Sequence, residues 1–180
     1  MSRKWSCEVL PGLPVYGPLA DPFSATGQGK HREGLVIRFN AETGENWVGN
    51  FQRGITGVDR TFDHSNGNAV IVVAGGQGYT VDPESRQCLG CFGGTIESMF
   101  FVPELGSIIF GNGLWFESIG ANGLLWRSRR VSWDGMRDLA IADQTLTGRA
   151  CNLSGHWIQF AVDLKTGTSS GGSYSGPSPF

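Results

Sequence analysis

Two thiols open the chemical reading. Cys88-Leu89-Gly90-Cys91 has the spacing of a redox dithiol or of half a zinc site. A structural zinc needs two further ligands, and Cys7, Cys151, His31, His64 and His156 each stand isolated in sequence. A dithiol of the thioredoxin kind wants a helix N-terminus beside a βαβ unit, and none is predicted here. No metal and no cofactor is therefore expected. Cys88 and Cys91 read as small thiols flanking a turn, and are the pair to which a metal would go if one bound. Gly75-Gly76-Gln77-Gly78 follows an apolar strand and has the look of a dinucleotide loop. Pyrophosphate binding requires a helix N-terminus after the glycines. Tyr79-Thr80-Val81-Asp82-Pro83 instead alternates like a strand, so a hairpin is expected. Gly167-Thr168-Ser169-Ser170-Gly171 matches the nucleophile-elbow pattern, but no Asp, Glu or His follows it to complete a triad. His31-Arg32-Glu33 and the group Asp59, Asp63 and His64 have no spacing that would make them converge.

The most distinctive stretch runs from Leu125 to Gly135 and mixes tryptophan with arginine. Strand alternation would put Arg127, Arg129 and Val131 on one face and Trp126, Ser128 and Arg130 on the other. Arginine and tryptophan are common anchors of protein interfaces. They also stack on bases, but no second basic run extends the patch, so nucleic acid is not the expected partner. The candidate binding residues are Arg127, Arg129, Trp133 and Asp134, with His31 and His156. The plainer alternative keeps Trp126 and Trp133 in the core and pairs the arginines with acids on neighbouring strands.

The elements that must position these groups are short. Of 180 residues 28 are glycine, 39% are hydrophobic and only 17% are charged, which argues against a helical bundle and against disorder. Apolar runs of strand length recur at Leu35–Phe39, Ala69–Val73, Ile96–Val102, Ser107–Phe110, Leu114–Ser118, Leu124–Val131, Leu139–Ala142 and Trp157–Val162. No helical stripe of 11 or more residues appears. Strand-turn segments close at Gly44, Arg86, Gly123 and Gly167, in steps of 42, 37 and 44 residues. That recurrence lies near the propeller-blade period of about 40–45. The expected fold is all-β: an antiparallel meander of about four propeller-blade-like repeats, forming a small propeller or a strongly curved sheet. An extended Pro/Gly-rich arm over residues 1–32 would pack on a repeat-built domain at 33–176, with a tail at 177–180. The net charge of −2, the lack of a long apolar run and the lack of an apolar leader suggest a cytoplasmic protein without membrane contact.

The four segments Ile37–Gly44, Tyr79–Arg86, Phe116–Gly123 and Phe160–Gly167 resemble the Asp-x-x-Thr-Gly turns of quinoprotein-type and WD-like propeller repeats, although the second ends in arginine and the third lacks the Asp. Trp126–Gly135, Trp157–Gly167 and Gly171–Tyr174 are similar to the C-terminal half of small bacterial β-rich proteins, as are Leu10–Gly17 and Trp47–Phe51 to their earlier part. That resemblance implies no activity. It implies, by analogy, an immunity-, inhibitor- or accessory-type protein. The expected function is a non-catalytic interaction module with another protein as partner. One alternative is a small-molecule or enzymatic site where loops bring His31, Asp59, Arg129 and His156 together. The other is a structural subunit of an oligomeric assembly.

Overall fold

A computed structural model of the chain describes residues 5–27, 33–64 and 67–177. The chain divides into two compact units, the first ending at Ile96 and the second beginning at Glu97. Each unit holds two four-stranded sheets, and among the described residues the only helical element is a single 3-10 turn at Pro103–Leu105. The fold is all-β.

In the first unit, β1 (Trp5–Leu10), β2 (Asp21–Phe23), β3 (Leu35–Ala41) and β4 (Asn46–Phe51) form a sheet of order β1-β3-β4-β2. Its β2–β4 pair is parallel. The expected N-terminal arm thus supplies two strands, β1 and β2. The second sheet is a plain meander of β5 (Arg60–Asp63), β6 (Val70–Ala74), β7 (Gln77–Asp82) and β8 (Gln87–Gly93). The second unit repeats the meander twice. The third sheet is β9 (Ser98–Val102), β10 (Ser107–Gly111), β11 (Phe116–Gly120) and β12 (Gly123–Arg127). The fourth is β13 (Met136–Ala142), β14 (Thr145–Cys151), β15 (Trp157–Asp163) and β16 (Ser169–Gly171).

Side-chain alternation explains how each pair of sheets makes one core. In the first unit Ile37, Phe39, Trp47 and Phe51 meet Val70, Val72, Tyr79 and Val81. Phe39 stacks on Trp47 at 4.2 Å and Phe23 on Phe51 at 4.5 Å. Such offset pairs add about 0.5–1.5 kcal/mol each beyond the area they bury. The Tyr79 hydroxyl donates to Gln52 O at 2.7 Å, which satisfies the one polar atom that ring takes inside. Burial, and then the neighbouring Cys91 charge, push its phenol up to about 12. In the second unit Ile109, Phe116 and Val131 meet Leu146, Ala150, Phe160 and Val162. Strand β6 is buried on both faces, as its unbroken β-branched run requires.

The four recurrent turn segments all lie at hairpins, each at the last hairpin of its sheet in chain order: β3–β4, β7–β8, β11–β12 and β15–β16. Two use an aspartate clamp. Asp82 accepts from Glu84 N–H at 2.9 Å and from the Ser85 hydroxyl at 2.8 Å. Asp163 accepts from Lys165 N–H, Thr166 N–H and the Thr166 hydroxyl, all within 3.0 Å. An indole from the preceding sheet then docks on each clamp. Trp47 Nε1–H donates to Pro83 O at 2.9 Å and Trp126 Nε1–H to Leu164 O at 2.9 Å. In both cases the acceptor is the residue after the aspartate. Each unit therefore contains, within itself, the same kind of joint, in which a tryptophan of one of its sheets docks on the backbone of its other sheet's last hairpin.

The Thr166 hydroxyl and backbone N–H bonds, with Lys165 adding its own N–H and charge, hold the Asp163 carboxyl below the ordinary carboxylate range. A carboxyl depressed in the folded state stabilises the protein above its unfolded pKa, and that contribution disappears as pH falls through the folded value. The stability difference between wild type and Asp163→Asn is expected to be largest above about pH 5 and to close below about pH 4. Urea melts of both proteins across that range measure it; a gap independent of pH would contradict the clamp.

One expectation holds at this level and another changes. The glycine-rich Gly75-Gly76 segment is the β6–β7 turn, and strand β7 follows where a nucleotide loop would need a helix. The strand expected over Leu124–Val131, by contrast, stops at Arg127. Ser128 then substitutes for a ladder position: its hydroxyl accepts from Phe116 N–H at 3.0 Å and donates to Arg129 O at 2.9 Å. Alternation is lost there, so Val131 is fully buried while Arg127 and Arg129 are exposed. The single face expected for those three residues does not exist.

Candidate protein-binding surface

Arg127, the last residue of β12, and Arg129, beyond its end, take different partners. Arg127 pairs with Glu117 on the adjacent strand β11. Arg129 donates from Nη2 to Gly171 O at 2.8 Å, reaching the edge strand β16. Arg130, which sequence reasoning did not select, holds the linker in shape. Its Nε donates to Ser132 O at 2.8 Å and its Nη2 to Trp133 O at 3.0 Å. The same guanidinium lies 4.6 Å from the Tyr174 ring centroid and 5.2 Å from that of Trp133. Trp133 and Tyr174 are themselves 4.5 Å apart at 59°. Arginine over aromatic faces contributes about 0.5–2 kcal/mol, more as water is excluded.

Backbone bonds fix this cluster. Ser173 N–H and Tyr174 N–H both donate to Val131 O, and the Ser132 and Ser173 hydroxyls both donate to Cys151 O. The linker after β12 and the chain after β16 are thereby laced to the end of β14. Trp133 and Tyr174 stay half-buried.

The outward face of the fourth sheet is polar. Register places Arg137 opposite Arg149 and Arg149 opposite Gln159, giving a row across three strands. Thr147, Ala161 and Ser170 form the next row. Over these rows lies an open groove of about 530 Å³, lined by the polar Asp138, Thr147, Arg149, Gln159 and Ser170 together with Gly148, Phe160, Ala161 and Gly171. A bulge between Arg137 and Ala140 sets Asp138 at φ 55°, where it pairs with Arg137 at 3.5 Å and Arg149 at 3.9 Å. Arg137 covers the Trp157 ring at 4.1 Å. The exposed ion pairs are worth little by themselves. Their effect is to keep two guanidinium groups poised beside the groove.

Of the other candidates, Trp133 belongs to the aromatic cluster. Asp134 lies beside it on an exposed turn, its N–H donating to the Ser132 hydroxyl at 3.2 Å. His156 is exposed in the β14–β15 hairpin, where its N–H donates to Asn152 Oδ1 at 2.8 Å. His31 lies outside the described residues. Asp59 is committed to Arg53 Nη1 at 2.8 Å and to Gly75 N–H at 2.8 Å. Sequence reasoning missed Tyr174, Arg137, Arg149 and Trp157. The Arg137–Arg149–Gln159 row follows from strand pairing alone, and only the aromatic residues beside arginines gave a local signal. Among the described residues no group of three or more His, Cys, Asp or Glu side chains could hold a metal. No helix there is long and apolar enough to cross a membrane.

No family model matches the chain, and no curated protein does. Solved structures give distant likenesses. A eukaryotic initiation factor aligns with TM-score 0.43 and 11% identity over 77% of this chain and 39% of its own. A computationally designed protein aligns with TM-score 0.43 and 14% identity over 79% of this chain and 46% of its own. The chain thus spans less than half the length of either. A glutaminyl cyclase from Myxococcus xanthus aligns with TM-score 0.32 and 14% identity over 90% of this chain and 73% of its own. What these β-rich neighbours share with the chain is a weak likeness of fold.

Proposed function

We propose that this chain is a protein-interaction module that docks a carboxylate-bearing segment of another protein on the fourth sheet of its second unit. The carrying observation is the Arg137–Arg149–Gln159 row, of which Arg149 and Gln159 line an open groove. Guanidinium groups match carboxylates in a planar, two-point geometry, and an amide beside them accepts or donates to a peptide backbone. The Arg130–Trp133–Tyr174 cluster, joined to the groove margin through Arg129 on Gly171, supplies the rigid aromatic anchor that interfaces concentrate their energy on. A small-molecule site is usually a concave, mostly apolar cavity that encloses its ligand. This groove is open rather than enclosing, which favours an extended partner over an enclosed metabolite.

On the same reading the four sheets are propeller-blade-like units, each built from one consecutive stretch of chain and closed by its recurrent turn. The interaction partner would be a protein that this module masks or assists, in the manner of immunity, inhibitor or accessory proteins, and the compartment the cytoplasm. No bond is made or broken in that role.

Selection of displayed random peptides on the immobilised full chain tests the reading. Peptides rich in Asp and Glu are expected to enrich, and their affinity to fall about tenfold or more in Arg149→Glu, the cost of reversing one partner of a charge-assisted contact. Arg53→Glu, in the first unit, serves as the control and should leave binding unchanged. Enrichment of neutral or basic peptides, or equal loss in both variants, would overturn the proposal.

A further inference from the structure

Cys88 and Cys91 lie on β8, the outermost strand of the second sheet. In a regular strand, residues three apart point to opposite faces and stand about 10 Å from one another. Here the β7–β8 register slips between Thr80 and Val81: Cys91 pairs with Tyr79 and Gly90 with Thr80, but Cys88 pairs with Val81. Leu89 is the extra residue, and the bulge it makes returns both cysteines to the same face. Their sulfurs are 3.6 Å apart, and the Cys88 thiol donates to Gly90 O at 3.3 Å. Both side chains are exposed. Gly90, between them, faces open space and leaves the strand free to contract.

A second feature adjoins the pair. An open groove of about 470 Å³ is lined by Cys88 with Asp21, Pro22, Phe23, Ser24 and Arg86. Arg86 is held at its mouth by the β7–β8 turn at φ 58°, with its guanidinium 5.7 Å from the Trp47 ring and 3.9 Å from Asp21. It is a half-exposed cation lining the same groove as the Cys88 thiol.

The geometry points to a thiol–disulfide exchange site: Cys88 and Cys91 form a reversible intrastrand disulfide by reaction with a small carboxylate-bearing disulfide seated against Arg86. The Cys88 thiolate attacks one sulfur of the small disulfide, breaking its S–S bond and releasing one thiolate, which takes up a proton. The Cys91 thiolate then attacks Cys88 in the mixed disulfide and expels the second. The two protein thiols lose two electrons and two protons in total, and the small disulfide is reduced to two thiols. Burial, then the hydrogen bond and charge of Cys88, push the Cys91 thiol up to about 12. The last two causes vanish once Cys88 enters the mixed disulfide, while burial, the largest, persists; the 3.6 Å approach of the two sulfurs is what places Cys91 for the resolving step. The site lies in the first unit and does not depend on the protein-binding surface proposed for the second.

The test uses the full chain in glutathione redox buffers, read by mass spectrometry of the fragment that contains both cysteines. Wild type is expected to lose two hydrogens in that fragment, while Cys91→Ser accumulates a stable glutathione adduct on Cys88. A trivalent phenylarsenical, which needs two adjacent thiols, should bind wild type one to one and neither single variant. Arg86→Gln should slow oxidation by glutathione disulfide several-fold relative to uncharged hydroxyethyl disulfide. Retention of both thiols in oxidising buffer, or an arsenical stoichiometry of zero, would overturn the site. An unchanged ratio between the two oxidants would overturn the role of Arg86.

Discussion

Gly54→Ala is expected to destabilise the first unit by about 3 kcal/mol, the upper part of the range for forcing one methyl into a filled site. The added Cβ would lie 2.4 Å from Gly94 O, 2.6 Å from Gly75 O and 3.0 Å from Gln77 N. All three are backbone atoms, so no side chain can rotate aside to receive it. The neighbours cannot retreat cheaply either. Gly54 N–H donates to Ala74 O, Thr56 N–H to Gly75 O, Gly76 N–H to Val58 O, and Gly94 N–H to Gly76 O, all near 2.9–3.0 Å. The Thr56 hydroxyl adds a bond to Ile96 O at 2.6 Å. The loop after β4, the β6–β7 turn and the chain after β8 thus touch backbone to backbone. Urea denaturation followed by tryptophan fluorescence measures the loss, with Gly57→Ala, whose Cβ meets nothing within 4 Å, as the matched control. Equal stability of the two variants would show that the packing is looser than these distances require.

Gly167→Ala combines two penalties and is expected to cost about 2–3 kcal/mol, from about 1–2 for a left-handed non-glycine residue together with the overpacking it causes. Gly167 sits at φ 71°, a conformation that a Cβ disfavours. A methyl group on its Cα would fall 2.5 Å from Cε3 of Trp126. The indole is itself anchored on Leu164 O in the same turn, so the ring cannot slide off without losing that bond. A double-mutant cycle with Trp126→Ala separates the two penalties: the clash disappears with the ring while the φ cost remains. If Gly167→Ala costs the same in both backgrounds, the ring is not what constrains the turn. Arg86 holds the equivalent place in the first unit at φ 58°, beside the Trp47 that docks on Pro83. The guanidinium of that non-glycine residue lies 5.7 Å from the indole centroid, a contact that Gly167 cannot make.

How far this protein can be read from its residues depends on the range of the interaction concerned. Strand identity is local: the β-branched run at Val70–Ala74 and the alternation of Tyr79–Asp82 define strands before any partner is known. The aspartate clamps are local too, since Asp82 and Asp163 bond groups two and three residues onward. Hence the recurrent turns could be found by inspection, and the dinucleotide and hydrolase motifs discarded. The arginine-rich stretch was only half legible. Its aromatic and basic character is in the composition, but its faces depend on where β12 ends. That point is fixed by Ser128 bonding to Phe116, twelve residues back.

By itself, then, the sequence determined an all-β chain, the more apolar of its strands and the recurrent hairpins that close its sheets, but not strands such as β1, β2, β8 and β14. Those features arise from backbone preference and from hydrogen bonds that span a few residues. Tertiary structure alone decided which side chains meet. Tyr174 reaches Arg130 from 44 positions away, Arg149 and Gln159 align only through the register of β14 on β15, and a one-residue bulge against β7 turns Cys88 toward Cys91. Register has no local signature, because a slip of one residue reverses every side chain without changing the composition of the strand.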